Sequence, residues 1–323
     1  MSEAIVPYSP PRLPLRPTHL HKGTAGTVLI LGGSASGDVR MIGAPALSAH
    51  GALRSGCGLV RVMVPRPIAD TVLTLTPSAT ATTLEVDEVG AIRPSAAAEV
   101  LDQLLISASS LVIGPGMSDD ASTQALALRA VQQEQAPVIV DAGALSALAR
   151  VPALLKDFRA RAILTPHPGE FRRLAEPLRI AADPVNPATR RQAAEQLAQR
   201  LGCIVILKGA GTVVSNGLET WVCDRGHPCM ATAGTGDVLA GIIAGLIAQH
   251  GPEPINPLLD MARARSGAPA KPAGPSLLDL ACISVLAHAA AGEEWARLKG
   301  ASGGMLAMEL AELLPARIEA CRG

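Results

Sequence analysis

The sequence predicts an α/β fold built on a mostly parallel sheet with helices on both faces. Short runs rich in Val, Ile and Leu alternate with alanine-rich helical stretches, and each run ends in a glycine-rich or polar loop. Strands that alternate with helices pair in parallel, and ligands of such sheets bind beyond the carboxyl ends of the strands. The loops are therefore expected to converge on one crevice. The Asn216-Gly217 pair between two β-rich runs marks an exception, a hairpin that makes the sheet mixed at that edge.

In order along the chain, residues 1 to about 20 hold Pro7, Pro10, Pro11, Pro14 and Pro17, a density that predicts an extended lead-in. Gly26 to Leu31 reads as a buried strand delivering Gly32-Gly33-Ser34 as a loop. A helix is expected from about Ile42 to Ser55, where Ala44, Ala46, Ala49 and Ala52 permit close packing. Leu59 to Val64 is the next strand, ended by Pro65. Leu111-Val112-Ile113 leads to Gly114-Pro115-Gly116 and a helix from about Ser122, and Val138-Ile139-Val140 leads to Asp141-Ala142 and a helix from Leu145. Ala162-Ile163-Leu164 leads to Thr165-Pro166-His167-Pro168-Gly169-Glu170, and Ile204 to Leu207 leads to Lys208-Gly209-Ala210-Gly211-Thr212. The hairpin strands are Thr212 to Ser215 and Glu219 to Val222. An apolar helix follows at Val238 to Ala248. Prolines at 252, 254, 257, 269, 272 and 275 mark a surface insertion over about 251–276. Two helices, about Leu277 to Lys299 and Met305 to Ala320, close the chain. With no linker and no repeat, residues 21–323 are expected to form one domain.

Twenty-eight basic and 28 acidic residues balance, so the chain lacks the electrostatic footprint of a nucleic-acid or anionic-membrane binder. Two Phe, one Tyr and two Trp leave little surface for stacking bases. No apolar run approaches the ~20 residues of a membrane span, and the first residues lack the basic and apolar regions of a secretory signal. The six cysteines are scattered without a C-x-x-C pair, which suits a reducing cytoplasm. Cys223, His227 and Cys229 stand close together, but they lack a fourth ligand and zinc spacing, so chance clustering is the expectation.

The most informative stretch is Ala233-Gly234-Thr235-Gly236-Asp237, directly ahead of the apolar helix. Glycines let the backbone approach a ligand, and the unpaired N–H groups of a helix start favour phosphate. A carboxylate in such a site would repel phosphate unless it takes a proton from a hydroxyl beside the phosphoryl group. Asp237 also suits a helix cap, and these five residues do not decide between the two roles. The glycines of Lys208 to Thr212 equally serve a tight turn between strands. Beside its prolines, His167 reads as a loop-fixing residue, and Glu170 as a helix cap or a metal ligand.

Gly32-Gly33-Ser34, Gly114-Pro115-Gly116, Thr165 to Phe171, Lys208 to Thr212 and Met230 to Gly241, in that order, resemble the ADP-dependent NAD(P)H-hydrate dehydratases. The resemblance spans roughly His21 to His250 and resumes near Leu280. It implies a ribokinase-like three-layer sandwich and the repair of NADH and NADPH hydrated on the nicotinamide ring, with ADP consumed and AMP and phosphate released. It also implies Asp237 as the base and Gly234, Thr235 and Gly236 as an anion hole. Lys208, Gly209, Ala210, Gly211 and Thr212, with Gly236, would bind the nucleotide. Ala44, Gly116, His167 and Asp237 would bind the hydrates NADHX and NADPHX. Glu170 would help hold Mg2+ through water.

The resemblance further implies a homo-oligomer, a homotetramer being one form, and a stand-alone enzyme without the epimerase domain to which many bacterial homologues are fused. Ala233 stands where family members often have glycine, and His227-Pro228-Cys229-Met230 where they commonly have Asn-Pro-Gly-Met. Two other readings remain open. A ribokinase-like kinase of a small alcohol would use the same anion hole and base, and a non-catalytic nucleotide-binding protein could keep the fold.

Overall fold

The structure, a computed structural model, describes residues 8–152, 154–156, 158–252 and 274–323. Most of the insertion predicted over about 251–276 lies outside the described residues. The described elements run β1 Thr27–Leu31, α1 Gly43–Ser55, β2 Leu59–Pro65, α2 Ala69–Leu75, β3 Thr80–Leu84, α3 Pro94–Leu105, β4 Ser110–Ile113, α4 Ala121–Gln132 and β5 Val138–Val140. They continue with α5 Ala142–Leu148, β6 Ala162–Leu164, α6 Pro168–Ala175, α7 Arg190–Leu201, β7 Ile204–Leu207, β8 Thr212–Ser215, β9 Thr220–Cys223, α8 Thr235–His250, α9 Leu277–Lys299 and α10 Ala307–Glu319.

The nine strands form one sheet in the order β3-β2-β1-β4-β5-β6-β7-β8-β9. Strands β1 to β7 pair in parallel, and the hairpin β8–β9 adds the antiparallel edge that Asn216-Gly217 predicted. In register, Leu31 lies beside both Met63 and Ile113, Ile113 beside Val140, and Val140 beside Leu164. The loops after these strands therefore emerge along one edge. The strand order turns around between β1 and β4, the point where open α/β sheets bind ligands. There the Gly33 N–H donates to the Pro115 carbonyl at 2.8 Å, joining two of the predicted loops.

Side chains alternate along the strands, so the sheet supplies two cores. Val28 and Ile30 of β1 pack with α1, α8, α9 and α10, whereas Leu29 and Leu31 pack with α3 to α7. The crossing of α1 and α8 is set by small residues. A Cβ on Gly241 would stand 2.0 Å from the Ser48 carbonyl oxygen, and one on Gly51 would stand 2.3 Å from that of Val238. The Ser48 hydroxyl also donates to the Asp237 carbonyl at 2.8 Å, so α1 fixes the backbone of α8's first turn. Gly241→Ala is expected to cost about 1–3 kcal/mol or more, because backbone on the facing helix cannot yield as a side chain would. Urea denaturation measures this, and a loss under about 0.5 kcal/mol would mean the helices separate freely.

Residues 8–17 form no helix, as their prolines require, and the segment is docked at Leu13. Leu13 is 1% exposed, its N–H donates to the Cys321 carbonyl, and it accepts from the Gly323 N–H. Two predicted boundaries need correction. Strand β2 runs through Pro65, which pairs with Leu84, since proline at a strand end forfeits only its own N–H. Helix α5 begins at Ala142, three residues ahead of Leu145, because Asp141 takes an extended backbone as the N-cap residue and its carbonyl accepts from the Ala144 N–H. The elements α2, β3, α3 and α7 carried no sequence expectation. β3, Thr-Ala-Thr-Thr-Leu, is an edge strand only partly buried, and its apolar pattern is correspondingly weak. Among the described residues no helix is long and apolar enough to cross a membrane.

Candidate active site

Three loops at the carboxyl edge bring charged side chains to one point. Asp141, just after β5, is 2% exposed and accepts from Thr165 Oγ1 at 2.6 Å and from Lys208 Nζ at 2.8 Å. Glu170, in the first turn of α6, lies with Oε2 3.9 Å from the same ammonium and accepts from the His167 N–H at 2.8 Å. Asp237, in the first turn of α8, completes the group. Burial works against the charge of Lys208, yet the attraction of Asp141, Glu170 and Asp237 outweighs it and raises its pKa. Burial pushes Glu170 up to about 7. Asp237 is likewise pushed up to about 7, first by burial and then by Asp141, against the downward pull of Lys208. Three carboxylates thus share one ammonium, and two of them sit near neutrality.

Beside this cluster lies a cavity of about 510 Å³, lined by the whole of Lys208 to Thr212 and by Thr235, Gly236, His227 and His288 among others. The N–H groups of Gly209, Ala210 and Gly211 have no acceptor among the described residues. Opposite them, Gly234 takes φ 90° to start α8, a conformation that glycine adopts without strain. A Cβ there would also meet Leu47 Cδ1 at 2.5 Å. The unpaired N–H groups of the helix start therefore face the same cavity as the turn. Two arrays of backbone donors on one cavity make a site for a polyanion.

All the predicted nucleotide residues are thus brought together. The ammonium of Lys208 is the surprise: it serves the carboxylates and lies against Gly236, where a Cβ would stand 3.4 Å from Nζ. Of the predicted hydrate positions, Ala44 and Gly116 meet, since a Cβ on Gly116 would stand 3.1 Å from that of Ala44. Ser48, one turn beyond Ala44, bonds the Asp237 backbone and so ties these positions to Asp237. His167 caps α6: its Nδ1 accepts from the Gly169 N–H at 3.0 Å, and with Glu170 it forms a reciprocal capping box. Burial, then Lys208 and Arg173, lower its pKa, so its ring is neutral with the proton on Nε2, 3.6 Å from Glu170 Oε1. Position 233 has no positive φ and is exposed, so alanine fits where a glycine is common.

Cys223, His227 and Cys229 do not form a metal site. The Cys223 thiol donates toward the Arg225 carbonyl and the Cys229 thiol toward that of Gly292, while His227 Nδ1 accepts from the Cys229 N–H. Among the described residues no group of three or more His, Cys, Asp and Glu could hold a metal ion directly.

Asp141, Thr165, Arg190 and His288 escaped the sequence reading as site residues. Asp141 left a signal, a carboxylate directly after a buried strand. His288, mid-way along α9, left none. Its Nε2–H donates to the Thr235 carbonyl at 2.9 Å, and burial lowers its pKa to about 4. Because this value lies below the 6.5 of an unfolded histidine, the neutral ring contributes stability above pH 6.5 that is lost as pH falls toward 4. His288→Gln keeps an N–H donor but cannot titrate. The variant should therefore gain on the parent by about 3 kcal/mol as pH falls through that window. Parallel denaturation curves at several pH values check this, and a pH-independent difference would refute it.

A match to the family described as NAD(P)H-hydrate dehydratase covers residues 28–316. The bifunctional NAD(P)H-hydrate repair enzyme of Moorella thermoacetica is 35% identical over 308 residues, 94% of this chain and 51% of that protein. The chain spans about half the length of such bifunctional relatives. The ADP-dependent (S)-NAD(P)H-hydrate dehydratase of Cenarchaeum symbiosum is 35% identical over 240 residues, covering 74% of this chain and 78% of that one. Among solved structures, the Bacillus subtilis ADP/ATP-dependent NAD(P)H-hydrate dehydratase co-crystallised with ATP/Mg2+ superposes with a TM-score of 0.69 at 27% identity, covering 96% of this chain and 95% of that one.

Proposed function

Because this chain belongs to the NAD(P)H-hydrate dehydratase family, we propose that it dehydrates the (S)-hydrates of NADH and NADPH, consuming ADP and releasing AMP and phosphate. The observation that carries the reading is one cavity walled by two arrays of unpaired backbone N–H groups, with the half-buried carboxylate of Asp237 at its edge. The phosphates of ADP lie against the N–H groups of Gly209 to Gly211 and of the α8 start. Asp237 takes the proton of the ring hydroxyl. The hydroxyl oxygen then bonds the terminal phosphorus as the bond to AMP breaks. Phosphate afterwards departs with the ring C–O bonding pair, and loss of a proton from the neighbouring ring carbon restores the double bond. Ala44 and Gly116 leave room beside the base for the nicotinamide ring, with His167 at the rim.

Three carboxylates around a single ammonium fit a divalent cation approached through water, the manner in which Mg2+ is commonly held beside substrate phosphates. Glu170 would hold it, and the ion would supply charge neutralisation on the transferring phosphoryl group. The six cysteines carry no disulfide, in keeping with a cytoplasmic site of action, and the family's tendency supports a homo-oligomer.

The test incubates the purified protein with hydrated NADH, magnesium and ADP or ATP. NADH absorbance should recover as AMP and phosphate form with ADP. No recovery with either nucleotide would refute the reading and return the kinase of a small alcohol to first place.

A further inference from the structure

Arg190 begins α7, is 8% exposed and has no carboxylate partner among the described residues. A buried cation without an anion is costly unless carbonyl oxygens satisfy its donors. Here they do: two of the four belong to the turn that walls the nucleotide cavity, and a third to Leu207, the strand residue that leads into it. Nη2 donates to the Leu207 carbonyl at 2.8 Å and to that of Lys208 at 2.7 Å. Nε donates to the Gly211 carbonyl at 3.2 Å, and Nη1 to that of Pro184. The guanidinium also packs under Gly209, where φ is 138° and a Cβ would stand 2.9 Å from Nη2.

The two polar ends of a planar trans peptide point in opposite directions. Once the Lys208 carbonyl is drawn to the guanidinium, the N–H of Gly209 must face the other way. The N–H groups of Gly209, Ala210 and Gly211 are the ones left without acceptors, and their residues line the cavity. We propose that Arg190 is a positioning residue for the nucleotide, its guanidinium holding the Lys208–Gly211 turn with its N–H groups presented to the phosphates. Its charge, unneutralised by any acid among the described residues, adds to the attraction from behind the turn. This rests on the cavity's taking a nucleoside diphosphate, as proposed above.

The test uses Arg190→Gln, Arg190→Lys and Arg190→Ala in the full chain, with folding checked by circular dichroism and ADP binding by calorimetry. Arg190→Gln should raise the Kd and KM for ADP at least tenfold, while kcat at saturating ADP stays within about threefold. Arg190→Lys should restore little of this, because one ammonium cannot span three carbonyls. Millimolar methylguanidinium should recover ADP affinity in Arg190→Ala, which a merely structural role would not allow. Wild-type affinity in folded Arg190→Gln would overturn the inference alone, as would loss of folding in all three variants. A wild-type chain that binds no ADP would overturn it together with the functional reading.

Discussion

Asp237→Asn is expected to lower hydrate turnover by about 10²–10⁴-fold while leaving ADP affinity within a few-fold of wild type. Both halves of the expectation come from geometry. The backbone N–H groups proposed to meet the phosphates are not disturbed by asparagine, and the Ser48 hydroxyl holds the Asp237 backbone through its carbonyl, which the substitution keeps. What asparagine removes is the carboxylate next to Gly236, at the start of α8, proposed to accept the proton. Because burial pushes that carboxylate up to about 7, the parent enzyme should lose rate as pH falls below about 7, where Asp237 becomes protonated. Calorimetry with ADP and a pH–rate profile read the two effects. Equal loss of binding and turnover would reduce Asp237 to a structural cap.

The sequence does not separate the capping and catalytic readings of Asp237; in the structure Gly234 is the N-cap residue of α8, without a side-chain cap hydrogen bond, and Asp237 stands in the first turn. The first turn of a helix is where an acid is favoured and also where unpaired N–H groups collect phosphate. The parallel sheet was legible because each buried strand is short, β-branched and followed by glycine or a polar loop. The edge strand Thr80–Leu84 was not, because a half-exposed strand keeps no clean apolar pattern. The same distinction governs the site. Loops that need glycine for close approach announce themselves, as Gly234 and Gly209 do. Arg190 and His288 act on those loops from helices distant in sequence, so no local pattern could mark them. The resemblance places Lys208 among the residues that would bind the nucleotide, whereas its side chain is held by Asp141. Its capture by Asp141 depends on β5 and β7, which flank β6, ending at one edge of the sheet, a relation that no local spacing marks.

Lys208→Met should cost about 3–5 kcal/mol at neutral pH, the largest stability loss expected here outside the helix crossings. Asp141 is 2% exposed and would keep only the Thr165 hydroxyl as a side-chain partner. Glu170 can escape the penalty by keeping its proton, since burial already holds it near 7 and the variant removes the ammonium that pulls it down. The cost therefore falls on Asp141. The double variant Lys208→Met/Asp141→Asn removes both charges and should recover more than half of the loss, because the penalty comes from an unpaired buried charge and not from a missing attraction. Urea denaturation of the two single variants and the double closes this cycle. Additive losses would mean that Asp141 and Lys208 are not coupled. A strongly coupled pair also has a consequence for binding. The ammonium lies against Gly236, so its anchoring by Asp141 sets where the positive charge stands beneath the anion loop. Asp141→Asn alone, leaving Lys208 mobile, should therefore weaken ADP binding although Asp141 does not line the cavity.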